Sequence, residues 1–383
     1  MQQGILRIYS ITTVFLLLIA FPIINAQFHL IKDIESSENR KMTDRPEFDF
    51  SALDEYPGLF EKSYNDNFTI RAIMVKYFNK LNIDFFKKSP LPDQIIIGED
   101  KWLFMGGDEL DAFRGKHRFE PVELESIRLE LEYRKDYLKK RGCEFYFLIA
   151  PNKMSIYAEK APNSIFRLSD NSWGEQLISY LNSSSSVKPV NVFDELRFRK
   201  NKETMYYMLD NHWNQTGAFY ATNVLLKTIG KDFPEVHTET LTDYELKKFP
   251  VPYGNIVSML SNEGTYSDTI HRYLKMPSFK AHESKRVGYP VEEGFSYTKE
   301  YENVREISSS TLPKALIISD SFGMFVYPFF SEEFSRTVKI FDAWRFKLNE
   351  NIVNVEKPDV YVLIVLESNL RNLLKNQSRK NIH

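Results

Sequence analysis

Lys314-Ala315-Leu316-Ile317-Ile318-Ser319-Asp320-Ser321-Phe322-Gly323 is the stretch on which the fold turns. Its unbroken apolar run from Ala315 to Ile318 predicts a strand buried on both faces, and a serine stands just past its end. Open α/β sheets bind ligands at the carboxyl ends of their parallel strands, so this is where such a fold holds a nucleophilic hydroxyl. A serine capping the next helix has the same local pattern. Far upstream, Asp210-Asn211-His212-Trp213 supplies the remaining parts of a serine acyl-transfer site. The imidazole takes the hydroxyl proton, and the carboxylate two residues earlier holds its tautomer. A surface histidine beside a turn aspartate reads identically.

Around these segments the chain alternates helix and strand. Pro121 to Arg141 predicts a charged helix stopped at Gly142, followed at once by a buried strand over 143–150 and the loop Pro151-Asn152-Lys153. Helix over 172–182, a short strand Val190-Asn191-Val192 and helix from Thr216 to Ile229 come next, so Asp210 and His212 lie on a loop at the mouth of a helix. Strands over 337–341 and 360–366 close the pattern, which is that of a parallel α/β sheet. Ile95-Ile96-Ile97 and Leu103-Phe104 read as a β-hairpin. Residues 231–305 lose the rhythm and read as an inserted β-rich or loop-rich subdomain. Leu59 to Tyr64 followed by Phe68 to Leu81 reads as amphipathic helix, with Ile70, Ile73, Met74, Tyr77, Phe78 and Leu81 on one face that is expected to be core.

Composition narrows the function. With 43% hydrophobic residues among 383, the chain has material for a sizeable core. Lys+Arg at 50 against Asp+Glu at 52 argues against a nucleic-acid-binding protein, which would carry a dominant basic surface. Cys143 is the only cysteine, excluding internal disulfides and cysteine-rich zinc sites, and it reads as a core residue within its strand. The histidines have no metal-ligand spacing, so a metal-independent mechanism is favoured. Asn214-Gln215-Thr216 spells a glycosylation acceptor tripeptide. At the N-terminus Arg7 precedes an apolar run from Ile11 to Ile24, with two readings: a signal peptide cleaved near Ala26, or an uncleaved anchor, which the bulky Ile24 favours. Both export residues 27 onward, because the positive charge lies on the short N-terminal side.

The motifs in combination carry a resemblance. Asp210-Asn211-His212-Trp213-Asn214-Gln215-Thr216-Gly217-Ala218 resembles the Asp-x-His-Trp plus glycine signature of the AlgX/AlgJ family of alginate O-acetyltransferase proteins, which are SGNH-hydrolase-like and of the DHHW type. Tyr64 to Arg71, Ile97 to Phe104, Pro151-Asn152-Lys153 and Asp320-Ser321-Phe322 resemble further landmarks of that family, in the same order, across roughly residues 50–375. Ser319 departs from the pattern, which usually has glycine there. The resemblance implies Ser321 as nucleophile, His212 as base and Asp210 as orienting acid, with no cofactor. It also implies a polysaccharide acceptor and a membrane-bound O-acyltransferase partner that passes acetyl across the bilayer.

In ordinary SGNH hydrolases the serine strand comes first and the Asp-His block last; here the order is reversed. A circular permutation beginning at strand 314–319 restores it and puts Asn369 where that fold keeps an oxyanion-hole asparagine. Tyr327 and Arg345 are weaker candidates for substrate binding, the first through its ring and the second toward a uronate carboxylate.

The resulting expectation is a circularly permuted SGNH-hydrolase-like three-layer α/β sandwich with a parallel sheet and an N-terminal anchor helix. Its expected parts are a signal segment at 1–28, a spacer with helix at 29–90, the catalytic domain at 91–375 with its insertion at about 231–305, and a tail at 376–383. The expected activity is O-acetylation of an exopolysaccharide or surface glycan outside the cytoplasm, at the periplasmic face of the inner membrane or in the periplasm. A carbohydrate esterase using the same three residues, or a non-catalytic glycan assembly protein, is the alternative.

Overall fold

Apolar runs at 144–150, 314–319 and 360–366 become the three central strands of one sheet, buried at nearly every successive position and therefore covered on both faces. The structure, a computed structural model, describes residues 2–32, 34, 41–50, 53–86, 88–252, 254–260, 267–289, 301–308 and 310–379. The chain divides into two units: residues 93–251 with 267–383, and residues 1–92 with 252–266. Parts of the spacer (33, 35–40 and 51–52), of the 231–305 stretch (253, 261–266 and 290–300) and of the tail (380–383) lie outside the described residues.

The strands, in chain order, are β1 Ile95–Ile97, β2 Leu103–Met105, β3 Glu144–Ala150, β4 Val190–Asn191, β5 Tyr244–Val251, β6 Asp268–Lys275, β7 His282–Glu283, β8 Glu302–Glu306, β9 Lys314–Ser319, β10 Arg336–Phe341 and β11 Val360–Leu366. The larger unit is built on a seven-stranded sheet in the order β4-β3-β11-β9-β10-β8-β7. β4 through β10 are mutually parallel, so the loops after β9, β11 and β3 share one edge. Counted from β9 as first strand, the parallel part reads 2-1-3-4-5, the flavodoxin-like doubly wound order. The permuted connectivity is thus a property of the sheet itself, with its topological switch point between β9 and β11.

The sheet is mixed rather than wholly parallel. β8 pairs antiparallel with β10, and β7 with β8. Both come from the 231–305 stretch, whose end covers the otherwise free edge of β10. Within the same stretch β5 and β6 pair antiparallel with each other.

Helix Pro121–Lys139 starts with a capping box between Glu120 and Glu123 and proline in its first turn, and leads to Gly142 at φ 74°. Within it Glu130 and Arg134 form a fully buried ion pair at 2.8 Å. Glu130 also accepts the backbone N–H of Ser378 and Arg379, tying the start of the tail to the core.

In the smaller unit, the apolar stretch Tyr9–Phe28 within helix Gln2–Phe28 is 20 residues long, enough to cross a bilayer. Helix forms at both expected stretches, as Tyr56–Asn67 and Arg71–Asp84, with a break between them where Ile70 takes φ 65°. Of the expected stripe, Ile70 is buried but the later positions are not core. Met74, Tyr77, Phe78 and Leu81 are each more than half exposed, whereas Asn79 and Ile83 face inward. Asn79 is held there by donating its amide to the Leu260 carbonyl at 2.7 Å.

Candidate active site

Local backbone chemistry shapes the turn after β9. Asp320, 1% exposed, accepts the Phe322 N–H on Oδ1 and the Leu366 N–H on Oδ2, pinning the turn to the end of β11. Ser319 takes the place of the family's usual glycine and is buried. Room for it comes from Gly323, where an added Cβ would lie 2.1 Å from the Ser319 Oγ. The chain then enters helix Gly323–Phe330, capped at Phe322 without a side-chain hydrogen bond. Ser321 therefore does not spend its hydroxyl on the helix.

That hydroxyl meets His212. Ser321 Oγ lies 2.7 Å from Nε2, and the other ring nitrogen, Nδ1, lies 2.6 Å from Asp210 Oδ1. The carboxylate beside Nδ1 places the proton there and leaves Nε2 to accept from the serine. Asp210 also accepts the His212 backbone N–H at 2.9 Å, so one carboxylate fixes both the ring and its backbone. The His212 and Asp210 side chains are 16% and 22% exposed, open enough for an acceptor to reach them. Phe322 and Phe325 pack against the imidazole with ring centroids 4.9 and 5.6 Å away.

Conserving this geometry falls to residues with no catalytic look in the sequence. Trp213 is fully buried and donates its indole N–H to the Phe322 carbonyl at 3.1 Å, joining the histidine loop to the serine turn. Asn214 caps the helix Gln215–Ile229 by accepting from Gly217 N, and donates to the Thr204 carbonyl; at 1% exposure it cannot serve as a glycosylation acceptor. Gly217 is needed because a Cβ there would sit 2.3 Å from the Met205 carbonyl.

Lys153, 1% exposed, aims its ammonium at the backbone carbonyls of Tyr207, Met208 and Asp210 at 3.0, 3.1 and 2.8 Å. Burial lowers its pKa to about 7, opposed by Asp210, Asp268 and Glu109. Asp268 at the start of β6 accepts the Leu209 N–H at 2.8 Å. Glu109 accepts from the Asn211 amide at 2.8 Å, and desolvation raises its carboxyl to about 7. Glu367, after β11, accepts Asn152 N, Ser155 Oγ and Gly174 N. Lys153 was visible only as part of a landmark tripeptide, and Asp268, Glu109 and Glu367 gave no signal at all, because their partners are mostly backbone groups.

The other candidates separate. Asn369 follows β11 at the switch point and donates to Asp320 Oδ2 at 3.3 Å, which puts its amide beside the serine turn. Tyr327 is buried, its ring 5.3 Å from the Arg305 guanidinium, and its role in this structure is packing. Arg345 lies half-buried in the loop after β10, on the same sheet edge as Ser321.

The order of the sheet, with its helices and mixed edge, is that of an SGNH-like α/β fold. Residues 95–275 match the family model for the SGNH hydrolase-like domain of the acetyltransferase AlgX. PatB1 of Bacillus cereus has a similar structure, with TM-score 0.52 and 20% identity over 73% of this chain and 97% of that one. A DHHW family protein from Eubacterium siraeum is also similar, with TM-score 0.51 and 16% identity over 75% of this chain and 100% of that one. At these identities the likeness is one of fold. No curated protein matches the sequence.

Proposed function

We propose that the protein is an exported, membrane-anchored O-acetyltransferase that holds acetyl on Ser321 and delivers it to a hydroxyl of an exopolysaccharide or other surface glycan. The observation that carries the reading is the continuous relay from Asp210 through His212 to Ser321, at 2.6 and 2.7 Å.

In the first half-reaction the Ser321 oxygen attacks the carbonyl carbon of an acetyl ester or thioester donor, and its proton passes to His212 Nε2. Collapse of the tetrahedral adduct breaks the bond to the leaving group, which takes that proton. In the second half a sugar hydroxyl gives its proton to Nε2 and attacks the acyl-serine; the sugar leaves as its acetyl ester and serine recovers the proton. The Ser321 backbone N–H and the Asn369 amide are the proposed oxyanion donors, a contribution worth about 3–4 kcal/mol per donor in enzymes of this kind. Outside the cytoplasm the acetyl group would come from a membrane-bound O-acyltransferase partner.

Hydrolysis of p-nitrophenyl acetate in the presence of uronate and neutral oligosaccharides tests the reading. Acetylated oligosaccharide formed in excess of free acetate, and lost in Ser321→Ala, supports it. Acetate release that oligosaccharides leave unchanged makes the protein an esterase, and surface-glycan acetylation left intact by Ser321→Ala in cells makes it a non-catalytic assembly protein.

A further inference from the structure

We propose that helices Tyr56–Asn67 and Arg71–Asp84 lie in the outer interface of the lipid bilayer, so that the protein is held at the membrane by a spanning helix and by an embedded collar. The inference rests on the reading of Tyr9–Phe28 as a spanning anchor and adds to it a second, interfacial element.

The first observation is an inverted helix. A surface helix ordinarily turns its apolar stripe inward. In Arg71–Asp84 the inward side holds Asn79 and Ile83, and the spacing 74, 77, 78, 81, 85 places Met74, Tyr77, Phe78, Leu81 and Phe85 on one exposed arc. Lys80, ion-paired with Asp84 at 3.2 Å, flanks that arc, where a cation can reach lipid phosphates. Such a face in water costs hydrophobic free energy, and in a bilayer interface it regains it.

The second observation sets its depth. Thr69, at the elbow between the two helices, donates its hydroxyl to the Pro22 carbonyl of the spanning helix at 2.9 Å. Twenty residues from Tyr9 to Phe28 cover about 30 Å, the hydrocarbon thickness, so Phe28 stands at its outer boundary. Pro22 lies about 9 Å inside that boundary at ~1.5 Å per residue. The elbow is therefore held at the depth where interfacial helices bury their apolar faces, about 5–10 Å. Pro22, Ile23 and Ala26 line a cleft of about 540 Å³ together with Phe60, Tyr64 and Phe68. Tyr56, Phe60, Tyr64 and Phe68 form a stacked ladder with centroids 6.0 to 6.4 Å apart, aromatic rings of the kind that settle at the headgroup level.

Nitroxide labelling of the full chain in phosphatidylethanolamine/phosphatidylglycerol vesicles tests the collar. Cys143 is buried and its thiol pKa is pushed up by burial, so the label goes to an introduced cysteine: Leu16→Cys, Met74→Cys, Phe78→Cys, Leu81→Cys or Lys80→Cys. At 74, 78 and 81, collisions with oxygen are expected to rise and those with a water-soluble nickel chelate to fall, several-fold relative to position 80. Nickel access at the stripe equal to that at position 80, with Leu16→Cys in lipid, overturns the collar while leaving the anchor intact. Exclusion of both reagents at the stripe also overturns it, because a protein surface then covers the helix. A water-exposed Leu16→Cys removes the anchor and the collar together.

Discussion

Replacing Lys153 with methionine separates the two things this lysine does. Its ammonium is the shared donor to the Tyr207, Met208 and Asp210 carbonyls and lies 5.5 and 5.1 Å from the Trp102 and Phe104 ring centroids; methionine keeps an unbranched side chain there without the charge. The Met208 carbonyl keeps the Leu103 N–H at 3.0 Å, so two carbonyls, those of Tyr207 and Asp210, lose this donor; at ~1–3 kcal/mol for each buried carbonyl without a partner, the loss is ~2–6 kcal/mol in a loop that does not relax. Against this stands the burial of the ammonium, which lowers its pKa from 10.5 to about 7. At ~1.4 kcal/mol per pH unit, relief of that burden returns ~5 kcal/mol. The two effects largely offset each other, and Lys153→Met is expected to unfold in urea within ~3 kcal/mol of wild type. Activity has no such compensation. Freed at its carbonyl, Asp210 drifts, and a shift of about 1 Å costs ~10²-fold, which should appear in kcat with little change in KM because Lys153 does not reach the acyl group. Steady-state p-nitrophenyl acetate hydrolysis beside urea unfolding reads both. A kcat within about twofold of wild type would refute the argument that Lys153 positions the Asp-His loop.

Three other outcomes are expected from the same contacts. Asp210→Asn keeps the shape of the site but favours the wrong imidazole tautomer, and kcat should fall by up to ~10⁴ with an unchanged circular dichroism spectrum. Glu130→Ala leaves the Arg134 guanidinium buried without its carboxylate, a loss of ~3–5 kcal/mol read as a lower urea midpoint. Glu109 has its pKa raised from 4.5 to about 7, so its contribution to stability is fully present below pH 4.5 and lost as pH rises through 7. Glu109→Gln should flatten the fall in stability between those pH values relative to wild type, and parallel slopes in thermal melts would refute the assignment.

The strands at 144–150, 314–319 and 360–366 were legible because burial on both faces demands uninterrupted apolar residues, and few other structures do. The helix after Trp213 was legible for a related reason, since its apolar residues repeat at helical spacing. β8, by contrast, reads Glu302-Asn303-Val304-Arg305-Glu306, a polar edge strand with only Val304 to mark it, so the antiparallel edge of the sheet left no pattern. The stripe over 70–81 was read correctly as apolar and helical, but periodicity says which residues share a face and nothing about which way the face points. At the site, Ser321, His212 and Asp210 announce themselves by residue type, whereas Lys153 and Asp268 act on backbone groups that every sequence possesses. Tyr327 misled because closeness to Ser321 along the chain says nothing of direction: the helix Gly323–Phe330 turns that ring into the core.

In the proposed reaction Ser321 carries the acetyl group and His212 takes the serine proton as the acyl bond forms. Rapid acid quench of the full chain with p-nitrophenyl acetate, followed by peptide mass spectrometry, tests it directly. The account predicts one acetyl group on the peptide containing Ser321, absent from Ser321→Ala and strongly slowed in His212→Ala. Acetylation elsewhere with Ser321 unmodified, or acyl turnover by Ser321→Ala at the wild-type rate, would contradict it.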